Sequence, residues 1–183
     1  MRIVDLSTED DCVVEQVATL LLEGVAVHSS NPWSDVTSAL DEVGESFDAN
    51  HISRVAFDDG DTMLGWTAGY STYNGYIWQL YPLVLATHSF NLDIGHLLIQ
   101  DFEEQVRTRG GLSILLSIDV EPALIAPSIL CENNLWQHMT ALQRLDNHRI
   151  EFFRQLGFTI VGVIPNAHGQ GKPDVLLERS VTR

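Results

Sequence analysis

Apolar positions change period several times along the 183 residues, and each change marks an element. Met1 to Leu6 alternates as a first or edge strand does, and Ser7/Thr8 followed by Asp10/Asp11 is a capping signature that opens a helix. Val13, Val17, Leu20, Leu21 and Val25 follow at helical spacing, which predicts a helix to about Val27, broken by Asn31-Pro32-Trp33. A second helix carries Val36, Leu40, Val43 and Phe47 and starts near Ser34, where Ser or Asp can cap it. From Ile52 the period becomes that of strands. Ser53 to Phe57, the turn Asp58-Asp59-Gly60-Asp61, and Met63 to Tyr70 predict a hairpin, because Asp-Gly supplies the turn conformation. Asn74-Gly75 turns the chain again before a long strand from Tyr76 to about Ala86. Pro82, which has no N–H, demands an edge, a bulge or a splay in that strand.

In the second half, Ile94, Leu97, Leu98, Phe102 and Val106 recur at helical spacing, with Asp101 and Gln105 also on that stripe. Arg107 and Arg109 lie in the last turn, and Gly110-Gly111 ends the helix. Leu112 to Ile118 is a mostly apolar run of strand length, which predicts a central strand covered on both faces. Glu121 to Asn134 holds Pro122 and Pro127 and no clean period, as functional loops often do. Helical stretches at Leu135 to Leu145 and His148 to Leu156 follow, the latter stopped by Gly157. Strands from Phe158 to Ile164 and Asp174 to Arg179 close the chain. Mixed order around one β-α-β crossover predicts a single α/β (α+β) domain over residues 1–183. The chemistry is expected where the long strand ends and the amphipathic helix begins.

Charge then narrows the partners. Ten Lys and Arg, only one of them Lys (Lys172), stand against 25 Asp and Glu, a net charge of -15. Nucleic-acid binding needs clustered cations to neutralise phosphates, and anionic membrane surfaces need the same, so both are disfavoured. Charged residues are only 19% of the chain and hydrophobic residues 45%, which argues for a folded core rather than an acidic tail. Cys12 and Cys131 make no disulfide framework and no metal-type spacing, and are expected to be buried reduced thiols. Seven His show no ligand spacing, so no metal is expected. Without a signal-peptide apolar stretch or a membrane-length run, cytoplasmic residence is expected.

Several segments carry a resemblance: Ile52-Ser53-Arg54-Val55-Ala56, Leu64-Gly65-Trp66, Trp78-Gln79-Leu80-Tyr81-Pro82-Leu83-Val84, Gly110-Gly111-Leu112, Glu151-Phe152, Leu156-Gly157-Phe158 and Gly171-Lys172-Pro173-Asp174. In order and spacing they resemble the GCN5-related N-acetyltransferase superfamily, and in particular its aminoglycoside 6'-N-acetyltransferase branch. The resemblance implies one mixed, twisted sheet with splayed central strands near Tyr81 to Leu85, flanked by helices. It implies acetyl transfer from acetyl-CoA to an amine of a cationic small molecule such as an aminoglycoside. It places Val84, Leu85 and Ala86 along the pantetheine, and Ile94, Gly95 and His96 near the pyrophosphate, with His88 and His96 flanking the loop. Asp119 and Gln79 stand at the catalytic positions, and Asp119, Glu121 and Asp174 are the candidates for binding substrate ammonium groups. Asp35, Asp41, Glu42 and Glu45 either wall the cleft or form only a solvated helix face.

Three positions depart from the family pattern. The window Phe90-Asn91-Leu92-Asp93-Ile94-Gly95 keeps only the last glycine of the pyrophosphate loop, and Asp93 brings a carboxylate to a site for phosphate, where glycines and free N–H groups are needed. Asp93 or Asn91 is expected to satisfy those N–H groups instead. Phe153 stands where a Tyr acid is common, and losing a general acid costs on the order of 10²–10⁴-fold in rate unless Tyr70, Tyr73, Tyr76 or Tyr81 replaces it. Gln79 stands where the branch has Glu. Together they motivate a second reading, a non-catalytic relative that binds or sequesters a cationic ligand. A homodimer is left open.

Overall fold

Asp10 opens the first helix: its carboxylate accepts from the Val13 amide at 3.2 Å. Strand β1 (Arg2–Asp5) precedes it, and α1 runs over Asp11–Glu23. The computed structural model describes residues 1–27, 33–87, 91–120 and 147–181. They fall into two compact units, residues 1–114 with 180–183, and residues 115–179. Helix α1 stops at Glu23, short of the expected Val27. Gly24, whose N–H bonds Leu20 O at 2.7 Å, ends it, and β-branched Val25 starts a short strand, β2 (Val25–Ala26). Cys12 is exposed rather than buried, because it lies off the stripe of Val17, Ala18, Leu20 and Leu21 that faces the core.

Helix α2 (Val36–Glu45) begins with a reciprocal cap: the Ser38 amide donates to Asp35 at 2.9 Å and the Asp35 amide to the Ser38 hydroxyl at 3.4 Å. The Ser38 amide, helped by the Ser34 hydroxyl, holds the Asp35 carboxyl below the usual carboxylate range. In the first unit's sheet β1, β3 (His51–Phe57), β4 (Met63–Thr72) and β5 (Ile77–Leu85) pair antiparallel in that order. The β3–β4 turn is held by the Asp58 carboxylate, which accepts from the Gly60 and Thr62 amides at 2.8 Å each. Its left-handed residue is Asp61, with φ 62°, and not Gly60 as Asp-Gly suggested. At the second turn Tyr73, Asn74 and Gly75 all have positive φ.

Pro82 takes the bulge. Register steps from Thr67 opposite Leu83 to Gly69 opposite Leu80, and the Thr67 hydroxyl donates to Pro82 O at 2.8 Å. The bulge swaps the faces of β5. Tyr81 and Val84, three residues apart, both pack on the core beneath α1 and α2, whereas Leu85 meets Leu98 of α3 (Leu92–Thr108) around Gly65.

On the other face α3 buries Leu98, Ile99, Phe102 and Val106 completely. Asp101 interrupts that stripe for a reason: it takes the buried Arg54 guanidinium on both oxygens, at 2.6 and 3.1 Å, while Arg54 also reaches Asp5 at 2.5 Å. Burial opposes that charge, but the bonds from Asp101 and Asp5 outweigh it and hold the guanidinium pKa above its ordinary value.

The second unit continues β6 (Ser113–Asp119), and holds α4 (His148–Gln155), β7 (Thr159–Ile164) and β8 (Asp174–Ser180), with β8 antiparallel to β7. Strand β6 departs from expectation: Ile114, Leu116 and Ile118 are fully buried, but the residues between them are half-buried, so the run is covered on one face more than the other. Asn147 caps α4 through the Arg149 and Ile150 amides at 2.9 and 3.3 Å. Glu121 to Asn134, Leu135 to Leu145, Asn31-Pro32, His88, Phe90 and Cys131 lie outside the described residues. Among the described residues no helix is long and apolar enough to cross a membrane.

Candidate active site

In the first unit, β5 and α2 build an acidic cavity of about 280 Å³ lined by Trp33, Ser38, Asp41, Glu42, Glu45 and Tyr81. Alternation along β5 before the bulge puts Gln79 on the same face as Tyr81. Helix spacing does the rest, because Ser38, Asp41, Glu42 and Glu45 recur at three and four residues and so share one side of α2. Trp33 and Tyr81 form an aromatic wall with ring centroids 6.2 Å apart. The indole N–H of Trp33 donates to Glu42 at 3.2 Å.

Glu42 is half-buried, and its carboxyl is pushed above the ordinary value chiefly by burial, against the Trp33 hydrogen bond and with help from the charge of Glu45. A carboxylate starved of water with one N–H donor is a strong acceptor for an ammonium group. Burial, with the charges of Glu42 and Tyr70, pushes the Tyr81 phenol up to about 12, so it stays protonated and able to donate. Of the four acids named on the second helix, Asp41, Glu42 and Glu45 reach the cavity, while the Asp35 carboxylate is used by the helix cap. From the sequence Trp33 reads as core or cleft wall like the other tryptophans, and Tyr81 as one of four tyrosines that could replace the missing acid; nothing there pairs the two.

Of the cofactor positions, Val84, Leu85 and Ala86 are consecutive and buried at the end of β5. Ile94, Gly95 and His96 occupy the first turns of α3, the first two buried and His96 half-buried. The cap of α3 is Asn91, whose side chain accepts from the Asp93 amide at 2.9 Å. Asp93 itself is exposed in the first turn. A side chain of the protein therefore already takes a first-turn N–H that a phosphate would use.

In the second unit, Asp119 accepts from Arg149 at 2.7 Å, and both side chains are about one-quarter exposed. Asp174 is 7% exposed and bonds the His168 ring at 2.7 Å. The Val120 amide donates to Pro173 O at 3.3 Å, which brings the ends of β6 and β8 together within that unit. Glu121 lies outside the described residues. Phe153 is fully buried, edge-on to Phe152 and Phe158 at 5.0 and 5.6 Å. Of the other tyrosines, Tyr70, Tyr73 and Tyr76 are exposed and Tyr81 lines the cavity.

In fold the chain is similar to the GCN5-related N-acetyltransferases, as one mixed α/β protein with its sheet flanked by helices. No family model and no curated protein sequence matches it, so the likeness is carried by structure. The aminoglycoside 6'-N-acetyltransferase from Enterococcus faecium superposes with a TM-score of 0.79 at 28% identity, over 100% of this chain and 98% of the other. An aminoglycoside 6'-N-acetyltransferase complexed with coenzyme A gives the same figures, TM-score 0.79, 28% identity and coverage of 100% and 98%. An aminoglycoside 6'-acetyltransferase of type Ii gives a TM-score of 0.74 at 26% identity, covering 100% of this chain and 99% of its own.

The fold thus holds coenzyme A in a solved neighbour. The described residues do not fit that group as they stand. The β5 edge at Leu83 and Leu85 is paired with β2, and the α3 cap is filled by Asn91.

Proposed function

We propose that the protein acetylates an amine of a cationic small molecule of the aminoglycoside kind, with acetyl-CoA as donor. The observation that carries this reading is the cavity between β5 and α2: two aromatic rings, two exposed acids and the half-buried Glu42. Multiply charged amines are attracted by such a field, and a desolvated carboxylate orients one ammonium by charge-assisted hydrogen bonds. An ammonium must lose a proton before its nitrogen can attack, and Gln79 has no basic oxygen to take it. Glu42, whose burial raises its proton affinity, is better suited than a surface acid. Asp119 enters with its charge already answered by Arg149. Within the second unit, Asp119 and Asp174 are separate candidates for binding ammonium groups, with Glu121 outside the described residues; in the first unit Tyr81 is the phenol available for the role that Phe153 cannot perform.

The non-catalytic alternative is favoured by two observations, the Asn91 cap and the seating of β2 on β5. Thermal unfolding with saturating acetyl-CoA and, separately, kanamycin or tobramycin separates the two. A ligand of the folded state at 100 times its dissociation constant adds about 2.7 kcal/mol. Shifts with both are expected; a shift with the drug but none with acetyl-CoA selects the sequestering protein, and no shift with the drug rejects the cavity.

Glu42→Gln gives a sharper check. The amide keeps an oxygen for the Trp33 N–H but removes the charge, so drug binding should weaken about tenfold, one charge-assisted bond. Stability should move the other way. Because folding raises the Glu42 pKa, ionisation of this group opposes folding at every pH above its unfolded value, most fully once pH exceeds the folded value. The neutral variant is therefore expected to melt at or above the wild-type temperature at pH 7. A variant that melts lower and binds the drug as before would give Glu42 a purely structural role.

A further inference from the structure

Strand β5 has two hydrogen-bonding edges. The Ala86 amide donates to Leu64 O at 2.9 Å, so Val84 and Ala86 turn their backbone groups toward β4. Leu83 and Leu85, one residue out of phase, turn theirs to the opposite edge. The chain leaving α1 is seated there. Val25 lies opposite Leu85 and Ala26 opposite Val84, and the Val27 amide donates to Leu83 O at 3.0 Å. The Thr87 hydroxyl anchors the start of the segment by donating to Glu23 O at 2.5 Å. Gly24 permits the approach, since a Cβ there would stand 2.5 Å from Leu20 O, 2.7 Å from Val84 Cγ1 and 2.9 Å from Leu85 O.

We propose that residues 24–27 are a displaceable edge strand, and that an extended ligand bearing its own amides takes the backbone of Leu83 and Leu85 only after this segment has peeled away. The ligand's identity rests on the proposed function: it is the pantetheine arm of coenzyme A, whose amides pair with a strand edge as an added strand does. The disagreement between the paired β5 edge and a coenzyme-binding fold is then a difference between two states of one segment. Both states are accessible for physical reasons. Ala26 and Val27 are 7% and 6% exposed, which favours docking, whereas a two-residue strand has few ladder bonds and Val25 is 38% exposed, which limits it. Thr67, Trp66 and Gly65 of β4 keep the other edge of β5 paired throughout, so the sheet does not open when β2 leaves. Apparent affinity for the coenzyme falls by the fraction of molecules in the open state.

The test uses the full chain, with hydrogen exchange followed with and without saturating coenzyme A. Val27→Pro removes the donor to Leu83, and Gly24→Ala adds the clashing Cβ. In wild type the Val27 amide should be protected alone and exchange at least about tenfold faster with coenzyme A, and either variant should bind coenzyme A about tenfold more tightly, as expected when an open fraction near one-tenth approaches one. Binding by the variants alone would support the displacement in its strongest form. Coenzyme A binding with residues 24–27 equally protected, and the variants no tighter, overturns the displacement and leaves acetyl transfer standing. Absence of binding to wild type and to a folded variant overturns both. Should a variant fail to fold, the other variant and the wild-type exchange decide the question.

Discussion

Arg54→Ala is expected to lower stability by about 3 kcal/mol, the lower end of what breaking a buried pair costs. Arg54 has 9% of its side chain exposed and Asp101 22%, so removing the guanidinium leaves the Asp101 carboxylate half out of water with both of its Arg54 bonds gone. Asp5 contributes far less, being 76% exposed, and Asp5→Asn should stay within about 0.5 kcal/mol of wild type. The contrast is the point of the measurement. Urea unfolding of Arg54→Ala, Asp101→Asn and Asp5→Asn should rank the first two as severe and the third as mild. If Arg54→Ala loses less than about 1 kcal/mol, a value typical of exposed pairs, then the tie between β1, β3 and α3 contributes no more than a surface ion pair.

Phe153→Ala should cost about 4 kcal/mol, within the range for deleting a buried aromatic ring. The ring is fully enclosed and edge-on to Phe152 and Phe158, so the neighbours have little freedom to collapse into the space. The more informative variant is Phe153→Tyr. Restoring the residue type common in the family introduces a hydroxyl between aromatic rings, and an unsatisfied buried polar group costs about 1–3 kcal/mol. The expected result is a lower melting temperature with no gain in acetyl transfer, followed by thiol release from acetyl-CoA. A Phe153→Tyr protein that melts as wild type and turns over at least tenfold faster would mean that this position does reach the reacting thiolate, and would remove the need for Tyr81.

Periodicity carried most of the fold because it reports a local choice, which face of each helix or strand meets apolar neighbours. The helix over Leu92–Thr108 and the strands on either side of Asp58 were legible for that reason. What periodicity misses is separated along the chain. Arg54 and Asp101 are 47 positions apart, and Asp101 read only as a polar gap in an apolar stripe. Segment 24–27 reads as part of α1 because Val25 fits a helical stripe; tertiary pairing with β5 overrides that spacing once Gly24 has ended the helix. The acids of α2 were legible as candidates, but separating Glu42 from Asp35 required the cap and the neighbouring Trp33. The need for a special device at Pro82 was readable from its missing N–H; which of edge, bulge or splay it would be was not.

That bulge also fixes how β5 can be inherited or transplanted. Its two halves run in opposite phase, even-numbered residues of one half sharing a side with odd-numbered residues of the other, as Tyr81 with Val84 and Leu85 with Leu98 show. Replacing Ile77–Leu85 by nine regularly alternating residues without the bulge brings the halves into phase and turns one of them inside out, whereas deleting Pro82 alone removes the extra residue and keeps both faces. In the regular strand either Gln79 and Tyr81, on the side of α2, would point at α3, or the buried Leu85 would point at α1. A graft of this strand therefore has to move Ile77–Leu85 as one block, together with Thr67 of β4, whose hydroxyl holds the offset.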